Sequence, residues 1–162
     1  MQCLRNLVAP LILLVLAGGF VPWRIACGAC ASGGASLAER VTGVLLALAG
    51  LGLALQAALL LAEAREEASS PSRPSGRFIV RGPYRRIRNP LYAGIILVVL
   101  GEGIALRSIA LLACAGAVAI VLHLLVVFVE EPALRERFGD LHDVYCEHVP
   151  RWIPGRGRPD AP

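Results

Sequence analysis

The chain has no lysine: all 16 of its basic residues are arginine. Schiff-base chemistry and a lysine general base are therefore excluded. Charge of either sign is scarce, at 17% of 162 residues, where a soluble domain carries about a quarter. That scarcity argues against a water-soluble single core. No Ser/His/Asp or Cys/His constellation of a nucleophilic catalyst is evident, and there is no internal repeat. The net charge of +4 is modest, and the arginines lie in loops between apolar runs rather than on one basic face. This is the distribution of a membrane protein and not of a nucleic-acid binder.

Uncharged sequence is what the chain has in abundance. Such stretches run from Asn6 to Trp23, Val41 to Ala62, Asn89 to Gly101 and Ser108 to Val129, which is 18, 22, 13 and 22 residues. Three are long enough to cross a bilayer. The third covers only about 20 Å at the helical rise, so its span is predicted to continue through Glu102 to Leu106 or so. The expected fold is all-α: an integral membrane bundle of about four transmembrane helices.

With both termini on one side, that side holds 13 arginines and the other only Arg24, Arg40 and Arg107. The positive-inside rule then puts the termini and the middle loop in the cytoplasm of a multi-pass membrane protein. Ala17-Gly18-Gly19 resembles a signal cleavage region, but removal of the first span would leave three spans and an external N-terminus, so the span is expected to be retained. The stretch Ala68 to Gly76 (ASSPSRPSG) reads as a flexible linker. It divides an N-terminal transmembrane hairpin (1–67) from a core (77–154), which is followed by a disordered tail (155–162).

Two segments carry candidate chemistry. Arg77 to Tyr92 (RFIVRGPYRRIRNPLY) ends in Asn89-Pro90, a helix start in which Asn caps free amides and Pro is tolerated at the first position. With Arg85, Arg86 and Arg88 just before it, this helix end is a ready anion site, or else a lipid-headgroup anchor. Glu130-Glu131-Pro132 marks the exit of the fourth span. Paired carboxylates at a helix C-terminus oppose the dipole unless a cation or donors compensate. Pro132 cannot donate to the Phe128 carbonyl, so the helix should kink or restart there. Leu134, Phe138, Leu141 and Tyr145 then form the apolar stripe of a C-terminal amphipathic helix on the cytoplasmic side.

The run Gly82-Pro83-Tyr84-Arg85-Arg86-Ile87-Arg88-Asn89-Pro90-Leu91-Tyr92-Ala93-Gly94 is followed by Glu130-Glu131-Pro132, Leu134, Phe138-Gly139, Tyr145 and Val149-Pro150-Arg151-Trp152-Ile153-Pro154. In order and spacing, over residues 76 to 154, this resembles the isoprenylcysteine carboxyl methyltransferase and phospholipid methyltransferase superfamily. The resemblance implies an S-adenosyl-L-methionine-dependent methyltransferase whose cofactor pocket is lined by Tyr84, Arg88, Asn89, Pro90, Tyr92, Glu130 and Glu131. The cofactor's carboxylate, ammonium and adenine call for an anion site, carboxylates and an aromatic slot, which these residues can supply. Two departures separate the chain from the prenylcysteine branch: Asn89 stands where that branch has histidine, and His123 to Val129 contains no arginine.

Helix geometry adds His123, seven residues and about 10 Å before Glu130 on nearly the same face. An intramembrane ionisable residue usually faces a bundle interior, so His123, with Glu131, is the catalytic candidate at the meeting point of cofactor and acceptor. The acceptor is expected to be lipophilic or small: a carboxylate, a phospholipid amine or a thiol. Glu102 reads as an interfacial carboxylate. Cys27 and Cys30 form a CxxC that fits a rival, a quinone-linked thiol oxidase, but the second outer loop lacks the further cysteines such an enzyme needs. A four-helix accessory or sensor protein that binds no cofactor is the non-enzymatic alternative. His142, Cys146 and His148 could in principle meet a metal, yet no metal site is expected.

Overall fold

The computed structural model describes residues 34–68 and 80–154. The predicted first span (6–23), the Cys27/Cys30 pair, the linker beyond Ala68 and the tail from Gly155 lie outside these residues. Every regular element among the described residues is helical: α1 (Leu37–Ala68), a 3₁₀ turn (Gly82–Arg85), α2 (Pro90–Ala105), α3 (Ile109–Leu125), a π turn (Val126–Glu130), α4 (Glu131–Phe138) and α5 (Asp140–His148).

Local chemistry fixes the ends. Ser36 and Glu39 form a capping box at the start of α1: the Glu39 amide donates to Ser36 Oγ (3.3 Å) and the Ser36 amide to Glu39 Oε2 (2.8 Å). α2 closes with paired bonds from Arg107 N to Ile104 O (3.1 Å) and from Ser108 N to Gly103 O (2.9 Å). This motif puts Arg107 at φ 48, in left-handed space that usually selects glycine.

Two helical runs, Leu37–Ala64 and Ile109–Phe138, are long and apolar enough to cross a membrane, and α2 is a shorter apolar helix. Only 17% of the most apolar window of each long run is buried. A soluble core helix would bury most of it. Here Leu45, Leu55, Ile120 and Phe128 lie exposed, the arrangement of side chains that meet lipid.

The chain forms two compact units that do not follow chain order. In the first (34–52 with 94–121 among the described residues), α1 and α2 meet along small residues. A Cβ on Gly101 would lie 2.6 Å from Ala47 N, and one on Gly50 would lie 2.7 Å from Gly94 O. Only glycine allows backbones this close. Val99 and Ala115 form the buried centre, with Leu100 packed against them.

In the second unit (53–68 and 80–93 with 122–154 among the described residues), Ile87, Tyr92, Leu122, Val126 and Val149 are buried, and so is His142, at 5% exposure. Two sequence expectations change here. The break expected at Pro132 takes the form of the π turn before it, in which the Glu131 amide reaches back to Val126 O. The single amphipathic helix expected after Pro132 is two short helices instead. Gly139 at φ 54 ends α4, and the chain changes direction before α5 begins.

Candidate functional site

The site is built within the second unit from the loop before α2, the α3–α4 junction, α5 and the segment after it. Pro83 shapes the 3₁₀ turn, and its carbonyl accepts from Arg86 N (3.0 Å) and Ile87 N (3.1 Å). Buried Ile87 anchors this loop. α2 starts at Pro90, with Asn89 O accepting from Ala93 N at 3.0 Å. The Asn-Pro signal thus places the helix start where the sequence put it.

Arg88, between these anchors, is the hub. Its Nε donates to Val149 O (2.7 Å) and its Nη2 to Cys146 O (3.1 Å). Nη1 meets Glu131 Oε1 (3.1 Å) and Cys146 Sγ (3.0 Å), while the Arg88 backbone amide donates to Pro150 O (3.0 Å). Arg151 approaches Glu131 from the other side, with Nε and Nη2 each 2.8 Å from one carboxylate oxygen. That is a bidentate fork, the strongest arrangement for this pair of groups.

The adjacent carboxylates therefore differ in surroundings. Glu131, at 21% side-chain exposure, lies between two guanidiniums. The cation demanded by a carboxylate at a helix end is thus supplied by the chain itself. Glu130 accepts a short hydrogen bond from the Tyr92 hydroxyl, and no cation pairs with it among the described residues. One helical turn before Tyr92, the Asn89 side-chain nitrogen Nδ2 is buried and has no acceptor. A buried amide donor without a partner costs free energy unless something else accepts from it.

The aromatic residues tie the elements together. Tyr145 OH donates to Tyr84 O at 2.7 Å, so α5 holds the 3₁₀ turn. Burial pushes the Tyr145 hydroxyl well above its ordinary pKa and keeps it a donor. Burial also pushes the Cys146 thiol up, against the opposing pull of Arg88, so the thiol is a packing group and not a ready nucleophile. The Cys146 sulfur lies 3.6 Å from His142 Nε2, while His148 Nδ1 contacts Val144 O.

The structure thus brings Tyr84, Arg88, Asn89, Pro90, Tyr92, Glu130 and Glu131 into one unit, with Pro90 buried in a helix-starting role. His123 is placed differently from its sequence expectation. A π turn advances fewer degrees per residue than an α turn, so the seven residues to Glu130 no longer return to one face. The His123 ring is exposed, and its Nδ1 accepts from Trp152 Nε1 at 3.1 Å, with ring centroids 6.1 Å apart. An indole N–H can only donate, so Nδ1 is the acceptor of this pair. Sequence reasoning missed Arg151, Trp152 and Tyr145 as parts of this cluster. The missing signal was available for Arg151, since a carboxylate pair at a helix end requires a cation.

These features define a helical protein with outward-facing apolar helices and a polar site made of arginine, glutamate, tyrosine and asparagine. A family model described as phospholipid methyltransferase matches residues 38–141. The chain belongs to this family and is a membrane-associated methyltransferase. No curated protein and no solved structure matches it.

Proposed function

We propose that the chain is an S-adenosyl-L-methionine-dependent methyltransferase of four transmembrane spans, with cytoplasmic termini and a cytoplasm-facing site, acting on a lipophilic or small acceptor. The observation that carries this reading is the buried, unpartnered Asn89 Nδ2 one turn from the Tyr92–Glu130 pair. An unsatisfied donor and a carboxylate without a cation fit a ligand that presents both acceptors and a positive charge. S-adenosyl-L-methionine has a carboxylate, an ammonium and a ribose diol, and when bound it supplies a methyl group on an electrophilic sulfonium.

Asn89 donates its amide to the ligand. Glu130 accepts from an ammonium or hydroxyl, and Tyr92 fixes the carboxylate in place. Arg88, Glu131 and Arg151 clamp the loop before α2 to the α3–α4 junction, so that Asn89 and Glu130 are held before binding. Glu131, saturated by two guanidiniums, acts in this account as a positioning residue. A carboxylate or thiolate acceptor loses charge as the new bond forms, which a site shielded from water favours without a general base. For an amine acceptor, Glu130 is the group able to take the proton.

Isothermal titration of purified protein with S-adenosyl-L-methionine tests the reading. Saturable binding that also occurs with the demethylated product is expected. No binding to either by folded protein would overturn the reading in favour of a non-catalytic accessory protein. Labelled-methyl transfer into a total lipid extract, compared with small thiols, then assigns the acceptor.

A further inference from the structure

The six residues after α5, Val149-Pro150-Arg151-Trp152-Ile153-Pro154, lie beyond the segment that matches the family, yet they are fastened at several points. Arg88 takes the Val149 and Pro150 carbonyls, Glu131 takes Arg151, and His123 takes Trp152. The last contact is the unexpected one. His123 is on α3 within the uncharged run Ser108 to Val129, about 10 Å along the helix from Glu130 toward the middle of that run. Trp152 must reach the same level to bond it.

We propose that this segment is a strap immersed in the membrane interface, with Trp152 and Ile153 in lipid and the Trp152–His123 hydrogen bond as its anchor. The proposal rests on the membrane-spanning reading of α3 given above. Three observations support it. Ile153 is 79% exposed, and Phe128 (71%) and Val129 (57%) of the same unit are exposed too, apolar area that lipid covers favourably. The start of the strap is bonded: the Val149 amide donates to Tyr145 O, the Val149 and Pro150 carbonyls accept from Arg88, and Pro150 and Pro154 have no N–H. The backbone groups from Arg151 to Ile153 are left to water and lipid headgroups, which keeps the strap at the interface and out of the hydrocarbon centre.

The side chains follow the same logic. Away from water, an indole N–H and an imidazole lone pair are both costly when unpaired, and here each satisfies the other. His123 is itself exposed, and at the interface phospholipid ester carbonyls supply acceptors for its second ring nitrogen. Tryptophan prefers this zone, with its ring in lipid and its polar edge bonded. Because Arg151 precedes Trp152, immersion of the strap also holds the arginine fork on Glu131.

The test uses the full chain with Trp23→Phe, which leaves Trp152 as the sole tryptophan. The protein is reconstituted into phosphatidylcholine vesicles carrying bromine on the upper acyl chain, and binding is verified by flotation. Brominated lipid should quench most of the Trp152 emission and aqueous iodide little of it. A protein that floats with the vesicles but is quenched by iodide and not by bromine, or by neither, overturns the strap. A protein that does not float overturns the membrane reading beneath it. In the same background, His123→Leu should raise iodide quenching several-fold, and His123→Gln, which keeps an acceptor, should restore the low value. Equal iodide quenching in all three proteins would overturn the anchor.

Discussion

Residues 94–105 of α2 lie against α1 through glycines, backbone to backbone, whereas residues 82–93 are tied to 122–154 by two guanidiniums, two carboxylates and two tyrosines. The first arrangement depends on the absence of side chains, and any added carbon collides. The second depends on particular atoms, and any lost atom leaves a partner unsatisfied. In lipid there is little hydrophobic drive between helices, so close van der Waals approach serves the apolar unit. The polar unit holds charge and donors in fixed positions, which requires a network.

Substitutions can break this contrast, and the largest effect is expected at Arg88. Arg88→Ala removes one of the two guanidiniums on Glu131, leaves the Val149 and Cys146 carbonyls without their side-chain donor, and should cost about 3 kcal/mol in denaturant unfolding from detergent micelles. Hydrogen exchange should rise in α5 and the 3₁₀ turn while the α1–α2 seam keeps its protection. Gly101→Leu should cost about 2 kcal/mol by overpacking, with the opposite exchange pattern. Arg151→Lys keeps the charge but loses the fork, and about 1 kcal/mol of stability should go with it, read in the same unfolding experiment. The smallest effect has the other sign. Arg107→Gly relieves a left-handed residue and should stabilise by about 1 kcal/mol or less, since the exposed 4.0 Å pair with Glu39 contributes little.

How much of this was legible in the sequence depends on the range of the interaction. The long apolar helices α1, α2 and α3 follow from uncharged runs, and the start of α2 from Asn89-Pro90, because length and capping are local properties. The break near Pro132 was legible for the same reason, but its π geometry was not. A face argument assumes 3.6 residues per turn, and Val126–Glu130 departs from that, which moved His123 off the Glu130 face. Gly139 looked like any glycine in an amphipathic stripe until its positive φ divided the helix. Arg151 and Glu131 are 20 residues apart, and Trp152 and His123 are 29 apart. Pairs at such separations are set by packing, and periodicity carries no trace of them.

The proposed function divides the tasks of the adjacent glutamates, Glu130 toward the ligand and Glu131 toward the fold. Affinity for S-adenosyl-L-methionine and unfolding free energy, measured together on Glu130→Gln and Glu131→Gln, test it most directly. Glu130→Gln keeps an acceptor for Tyr92, so it should lower affinity by about tenfold or more, roughly 1.4 kcal/mol, with stability nearly unchanged. Glu131→Gln should lose stability first, as two guanidiniums lose their counter-charge. Unchanged affinity in Glu130→Gln, together with lost affinity in a fully stable Glu131→Gln, would contradict the account.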